Sequence, residues 1–201
     1  MAQSRRKLRF FLKGTKRSEP GDWMWLFIQM LAGYFVEANW EANVGANTGF
    51  IPALASGRVV CHYHVCSSKQ CKSVQGLPHV VDCRAIARKY RWGLTVARHL
   101  RAALFIETSQ AFMFVPGKMG TQHLLGQAIK WNRGIWRKHR PIALIQNHAR
   151  FNEGPWVAIL EVSGLTVNGG GSVGYHGSKL PWIRIFSSED PEAVVKWVVE
   201  T

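Results

Sequence analysis

The feature that most constrains the fold is a continuous apolar run, WMWLFIQMLAGYFV, at residues 23–36. This run is interrupted by Gln29 and is too short to cross a membrane, since a spanning helix needs about 20 apolar residues. Asp22 lies just before it and is a good N-cap residue. A helix that is apolar on nearly every side must be covered by other elements. The run therefore predicts a buried helix over residues 22–41 and no membrane span.

Further elements follow from periodicity and composition. Runs rich in β-branched and aromatic residues predict strands at residues 57–65, 78–83, 103–115, 141–146, 155–162 and 181–186. Helical patterns are expected at residues 84–102 and 121–140, and again near the end of the sequence, where Pro191 and acidic residues suit a first turn. Together these elements predict the α+β class, with a mixed or antiparallel sheet and packed helices.

The first 18 residues differ from the rest in charge. They contain seven Lys or Arg residues and no acid, and a segment of this kind has little reason to fold alone. A chain of 201 residues has the size of one domain. We therefore expect a basic N-terminal arm at residues 1–18 and a single α+β domain at residues 19–201.

The net charge of the chain is strongly positive and unevenly distributed. Residues 1–140 contain 22 Lys or Arg and 6 acids, whereas residues 141–201 contain 4 and 6. Polyphosphates are the usual partners of so basic a surface, because binding releases their counterions. We expect the partner to be DNA or RNA, bound largely through phosphates. A structural component of a ribonucleoprotein, in contact with other proteins of that complex, fits this charge as well.

Two segments supply the expected contacts. In the 121–140 helix, apolar and basic side chains fall on opposite faces, and the 84–102 segment is rich in Arg and free of acids. The residues expected to bind nucleic acid are Arg84, Arg88, Arg91, Arg98, Lys130, Arg133, Arg137 and Arg140. Trp92 is the candidate for base stacking.

The segment CHYHVCSSKQC, residues 61–71, concentrates metal-ligating residue types. On a strand, His62, His64 and Cys66 share one face, and Cys71, His79 or Cys83 could complete a structural Zn²⁺ site. Metal-free thiols and a disulfide are the alternatives. Four cysteines are too few for a disulfide scaffold and no signal peptide is visible, so we expect an intracellular protein. The cytoplasmic, nuclear and organellar compartments stay open.

The HYH sequence within this segment resembles the metal-holding motif of the HUH endonucleases. In that family two histidines on a strand hold a divalent ion against the scissile phosphate, and a tyrosine attacks it. The resemblance implies His62 and His64 as ligands and Tyr90 or Tyr175 as the nucleophile.

Three scarce acids suggest a second kind of nuclease. Glu37 near the end of a helix, Asp82 at a strand end and Glu107 on the next strand resemble the PD-(D/E)xK core, which implies carboxylates that hold Mg²⁺ and activate water. The family's lysine two positions after the glutamate is absent, since Ser109 stands there. A metal-dependent nuclease is thus the alternative to a binding protein, and the sequence leaves open whether the chain is an enzyme.

Overall fold

The structure is a computed structural model that describes residues 7–14, 19–45, 49–135, 138–147, 150–151 and 153–201. Helices pack against a mixed sheet of nine strands in this part of the chain. The predicted α+β class with packed helices is confirmed.

The elements alternate between strand and helix along most of the chain. The strands are β1 Leu8–Lys13, β2 Trp40–Gly45, β3 Cys61–Val65, β4 Val80–Asp82, β5 Ala111–Phe114, β6 Ile142–Gln146, β7 Thr166–Val167, β8 Ser172–Tyr175 and β9 Ser178–Ser187. The helices are α1 Trp23–Glu37, α2 Ile51–Ser56, α3 Ser68–Ser73, α4 Cys83–Lys89, α5 Leu94–Thr108, α6 Met119–Gly134, α7 Trp156–Val162 and α8 Pro191–Glu200, with a 3-10 turn at Gly169–Gly171.

The sheet is parallel over most of its width. Its strand order is β4-β3-β2-β1-β5-β6-β9-β8-β7, and every pair from β4 to β9 is parallel. The β9–β8 and β8–β7 pairs at one edge are antiparallel. Parallel strands are covered by helices on both faces, which explains why every residue of β3, β5 and β6 is buried.

The helices form two layers. We call the layer of α1, α2, α3 and α8 the first layer; its core includes Phe27, Ile28 and Val194. The second layer consists of α4, α5, α6 and α7, and its core includes Phe105 and Leu125. The predicted helix over residues 22–41 is α1, capped by the Asp22 carboxylate, which accepts a hydrogen bond from Trp25 N at 2.7 Å. No helix within the described ranges has the length and apolarity that would let it cross a membrane.

The basic arm predicted at residues 1–18 is not confirmed. Leu8–Lys13 forms β1, which lies between β2 and β5 near the middle of the sheet. Phe10, Phe11 and Leu12 are buried, so the segment has a strong reason to fold once its two neighbours are present. Residues 1–6 and 15–18 lie outside the described part of the chain.

Two predicted strands are helices. Residues 103–108 continue α5, and β5 begins only at Ala111. The 155–162 segment is α7, in which Trp156 and Leu160 are buried four residues apart. Both segments are rich in β-branched and aromatic residues, but burial at helical spacing against the sheet outweighs this local preference.

The loops that follow β1 and β5 lie in close backbone contact at the carboxyl ends of these strands. From this point the connecting helices lead to opposite faces of the sheet. A Cβ atom on Gly14 would overlap Val115 Cγ2 and lie 2.9 Å from Phe50 Cζ. A Cβ atom on Gly117 would overlap Thr121 Oγ1 and lie 3.0 Å from the carbonyl carbon of Gly14. The two loops can therefore approach this closely only because both residues are glycine.

Replacing Gly14 should destabilise the fold through this contact. We expect Gly14→Ala to lower the free energy of unfolding by about 1–3 kcal/mol, the usual cost of overpacking a core. Urea denaturation measures the change. The control is Gly33→Ala in α1, where a Cβ atom would meet nothing within 4 Å and the better helix propensity should add up to about 1 kcal/mol. Equal stability of the two variants would contradict the packing argument.

Candidate nucleic-acid interface

The two helical layers differ in charge. The four helices of the second layer contain seven Lys or Arg residues and two acids, whereas those of the first layer contain three of each. Among the helices, the excess positive charge therefore lies on one side of the sheet. Such a surface attracts a polyanion and repels other cations at long range.

The densest part of this surface is the turn between α4 and α5, residues 88–93, which we call the α4–α5 corner. The turn is a Schellman motif, because Arg91 N donates to Arg88 O at 3.0 Å and Trp92 N donates to Ala87 O at 2.8 Å. Arg91 occupies the left-handed position of this motif, with φ of 57°. Glycine usually takes that position, since other residues are strained there by about 1–2 kcal/mol.

Two exposed aromatic rings stack in this corner. Tyr90 is 56% exposed and Trp92 is 46% exposed, and their ring centroids lie 5.0 Å apart with an interplanar angle of 27°. The ammonium group of Lys89 lies 5.9 Å from the Tyr90 centroid. Large aromatic side chains usually bury themselves in a core, so a stacked pair left in solvent offers a flat surface for a planar ligand.

A groove of about 280 Å³ adjoins the stacked pair. It is lined by Arg84, Ala87, Arg88, Trp92, Gly93 and Ala97. Arg88 is exposed at its rim, so a ligand that stacks on the rings can place an anionic group against a guanidinium.

The predicted cationic residues fall into two groups. Arg88, Arg91, Arg98, Lys130 and Arg133 are exposed, and none of them forms an ion pair with an acid among the described residues. These five side chains are available to a ligand.

Arg84 and Arg140 are instead engaged inside the protein. Arg84 Nη2 lies 3.5 Å from Asp82 Oδ2, and its Nη1 donates to Ser68 Oγ at 2.6 Å. Arg140 Nη1 donates to the carbonyl oxygens of Ile106 and Ser109 at the end of α5. Their bonds fix the start of α4 and the end of α5. The sequence instead predicts that both arginines contact the ligand. Arg137 lies outside the described residues.

The three carboxylates of the nuclease prediction do not come together. Glu37 ends α1 and Glu107 lies near the end of α5, so they stand at the amino edge of the strands but in opposite layers. Asp82 lies at the carboxyl end of β4 and caps α4, accepting from Arg84 N at 2.8 Å and Ala85 N at 3.2 Å. Burial raises the pKa of Asp82, but these backbone hydrogen bonds outweigh it, so the pKa is lowered.

The cysteine and histidine segment is divided among several partners. Cys83 is fully buried between α4 and α5, where burial raises its pKa to about 11. Cys71 Sγ lies 3.6 Å from Asp82 Oδ2 and accepts from Arg84 at 3.2 Å. His62, His64 and Cys66 share the second-layer side of β3, as expected from strand alternation. In the described part of the chain, no three His, Cys, Asp or Glu side chains are arranged to hold a metal ion, and structural zinc stays a prediction.

A polar cluster that the sequence reading missed lies beneath α5. His62 Nε2 lies 2.6 Å from Glu41 Oε2, and Arg9 Nε donates to the same oxygen at 3.4 Å. Burial raises the pKa of Glu41, but the hydrogen bond and charge of His62 and the charge of Arg9 lower it overall. The His62 pKa is lowered, chiefly by burial, so we infer that neutral His62 donates to the ionised Glu41. Parallel pairing of β1, β2 and β3 brings these residues together, which no local pattern indicates.

His64 is the most strongly perturbed group of this cluster. Its ring packs on Phe105 with centroids 4.6 Å apart, and it is 3% exposed. Burial lowers the pKa of His64 to about 4, and the nearby His62, Arg9 and Arg101 act in the same direction. His64 therefore stays neutral in the folded protein at pH values where an exposed imidazole would be protonated.

The fold has a counterpart among solved structures, although no protein-family model and no curated protein matches the chain. It is similar to DNA processing protein A from Helicobacter pylori, with a TM-score of 0.58 and 12% sequence identity. The similarity covers 96% of this chain and 80% of that chain. That structure was described for its single-stranded DNA binding mode. At this identity the likeness shows a shared fold.

The neutral His64 should make stability depend on pH. Between pH 6.5 and about 4 the unfolded chain binds a proton at this position that the folded chain does not, so stability falls as pH falls. We expect His64→Phe to lose less free energy of unfolding between pH 7 and pH 4.5 than the original chain, by roughly 2 kcal/mol. Urea denaturation at both pH values measures this. His99→Phe, the same change on the exposed side of α5, is the control, and an equal loss in the original chain and in His64→Phe would contradict the assignment.

Proposed function

We propose that the chain binds single-stranded nucleic acid at the α4–α5 corner. The observation that carries this proposal is the exposed Tyr90–Trp92 stack, which lies among cations that have no acidic partner in the described residues. Stacking platforms combined with a positive groove are how proteins bind single strands without reading their sequence. A duplex would hide its base faces from these rings, so the single strand is the form of nucleic acid that the corner fits.

The strained backbone at Arg91 supports the same proposal. A non-glycine residue with φ of 57° costs stability, and within the described residues the exposed Arg91 side chain has no ion pair that offsets this cost. Strain of this kind clusters at ligand-contacting sites, and Arg91 differs from the similarly strained Arg58 in lying between the two residues of the exposed aromatic stack. In our proposal the Arg91 guanidinium contacts a phosphate while Trp92, the next residue, contacts a base.

DNA is the first ligand to test, because DNA processing protein A, which has a similar fold, binds single-stranded DNA. RNA is the competitor, since neither stacking nor phosphate contacts distinguish the two sugars. Competition between a labelled oligodeoxynucleotide and the same sequence as RNA ranks them. Partner proteins in a nucleoprotein complex would add to this interface and are not required by it.

Nuclease activity remains a secondary prediction. It would need Mg²⁺ at Glu37, Asp82 and Glu107 or a metal at His62 and His64, and no contact among the described residues favours either set. Incubating an oligonucleotide with Mg²⁺ or Mn²⁺ tests cleavage, and metal analysis of the purified protein tests for Zn²⁺.

Removing the stacking platform should weaken binding. We expect Trp92→Ala to reduce the affinity for a labelled oligothymidylate about fivefold or more, because base stacking on an aromatic ring is worth about 1–3 kcal/mol. Fluorescence anisotropy at fixed salt measures the dissociation constant. Met30→Ala removes a side chain of similar exposure, 49%, from α1 in the first layer, and should leave affinity unchanged. If Trp92→Ala bound as tightly as Met30→Ala, the platform would have no role.

Removing two cations from the corner should reduce the salt dependence of binding. For single strands, each lost phosphate contact lowers the slope of log affinity against log salt by about 0.7, so Arg88→Gln with Arg91→Gln should reduce it by about 1.4. Anisotropy titrations at several KCl concentrations measure this slope.

The matched control is Arg58→Gln with Lys196→Gln. Arg58 also has a left-handed backbone, with φ of 62°, and Lys196 lies on α8 in the first layer, so both charge loss and backbone strain are matched. Equal slopes in the two double variants would mean that charge acts without regard to position, and the proposed corner would be wrong.

A further inference from the structure

A second groove lies in the same layer, between α6 and the end of α7. It has a volume of about 400 Å³ and is lined by Gly126, Ile129, Lys130, Arg133, Gly134 and Ser163. Its floor is apolar at Ile129, which belongs to the core of the second layer, and its rim carries the Lys130 and Arg133 cations. The α4–α5 corner does not include any of these residues.

The Arg133 side chain is held in place by an aromatic ring. Its guanidinium carbon lies 3.9 Å from the centroid of Tyr175, and Tyr175 itself packs against the core of the second layer. Stacking on a ring fixes the plane of the guanidinium and leaves its N–H edge free to form paired hydrogen bonds with a phosphate. Lys130 lies one turn earlier on α6 and is exposed, so two cations border the same groove.

Two glycines keep the groove open. Gly126 and Gly134 lie four residues before and after Lys130, and a Cβ atom on either would meet nothing within 4 Å. Glycine inside a helix is unfavourable compared with alanine, and packing within the described residues gives no reason for it here. Their effect is to leave the backbone of α6 bare along the side that faces the groove.

We infer that this α6–α7 groove is a second subsite for the strand that binds the α4–α5 corner, so that one strand crosses the second layer from α4 to α7. The inference rests on the proposed function. Charge complementarity selects the occupant: both rims carry cations without an acidic partner in the described residues, as a phosphate backbone requires. The strand contacts the stacked rings at one end and the Arg133 guanidinium at the other.

The separation of the two subsites sets the length of strand needed. Helix α4 contacts β3 and α6 contacts β5, and these strands are three positions apart in the sheet order. At about 4.8 Å per strand the two helices are offset across the sheet by about 15 Å, which is the least distance that a strand joining the subsites must cover. A stacked strand rises about 3.4 Å per nucleotide, so the gap corresponds to four or five rises and takes roughly five or six nucleotides. A tetranucleotide therefore occupies one subsite, and a strand several times longer occupies both.

The test compares the two oligothymidylates dT4 and dT16 by anisotropy at low salt. Lys130→Gln with Arg133→Gln should weaken dT16 binding about tenfold or more, since joining two subsites through one strand multiplies their affinities. The same variant should change dT4 binding by no more than about twofold, because only one of two separate weak sites is lost. Arg58→Gln with Lys196→Gln again controls for net charge.

A second variant fills the groove without changing charge. Gly126→Leu places a long apolar side chain into the open space and improves helix propensity, so its melting temperature should not fall while its dT16 affinity does. The control is Gly33→Leu in α1, where a Cβ atom also meets nothing within 4 Å. A structural role for Gly126 would instead lower the melting temperature and leave the affinity of the folded protein unchanged.

The outcomes separate this inference from the proposal on which it rests. If Lys130→Gln with Arg133→Gln binds dT16 as tightly as the original chain, while Arg88→Gln with Arg91→Gln does not, the second subsite is wrong and the corner stands. If the original chain binds neither oligonucleotide at low salt, the proposed function itself is wrong. A loss of dT16 affinity in the α6 variants, without a matching loss of dT4 affinity and absent from the Arg58→Gln with Lys196→Gln control, supports the second subsite.

Discussion

The pairing of β1 with β2 on one side and β5 on the other determines how the rest of the molecule is arranged. The sheet is extended from β1 first in one direction, through β2 to β4, and then in the other, through β5 and β6. The helices that connect strands within one half therefore lie on one face of the sheet, and those within the other half lie on the opposite face. Residues 23–73 provide most of the first layer and residues 83–162 provide the second. A difference in composition between two stretches of sequence thereby becomes a difference between two surfaces. The basic stretch ends up on one side, and the nearly neutral one covers the other.

Within the basic layer, arginines serve two separate purposes. Arg84 and Arg140 are held by Asp82 and by carbonyl oxygens, and they fix the start of α4 and the end of α5. Exposed arginines such as Arg88 and Arg133 are carried on the elements that those bonds hold in position. Helix α4 carries cations of both kinds, since Arg84 is engaged and Arg88 is exposed. Positive charge alone does not distinguish the two groups, but the partner of each guanidinium does.

The sequence predicts α1 well, since Asp22 and the apolar run are local signals, and it predicts that His62 and His64 share one face of β3. It does not predict β1. The two strands that pair with β1 begin at residues 40 and 111, so no local pattern around residues 8–13 indicates them. It also predicts Arg84 and Arg140 as ligand contacts. Ser68, which binds Arg84, and the carbonyl oxygens at the end of α5, which bind Arg140, become neighbours of these arginines only after folding. The Tyr90–Trp92 stack depends on the left-handed backbone of Arg91, and a local pattern rarely indicates that conformation for arginine.

The central position of β1 also has a consequence for the order in which the chain can fold during translation. One edge of β1 pairs with β2, about 30 residues later, but the other edge waits for β5, whose first residue is Ala111. At a synthesis rate of about 5–20 residues per second, that edge stays open for roughly 5–20 s after β1 has been made. During this interval an apolar strand presents unsatisfied backbone groups on the nascent chain. We therefore expect the nascent chain to need chaperones most during the interval between synthesis of β1 and synthesis of β5.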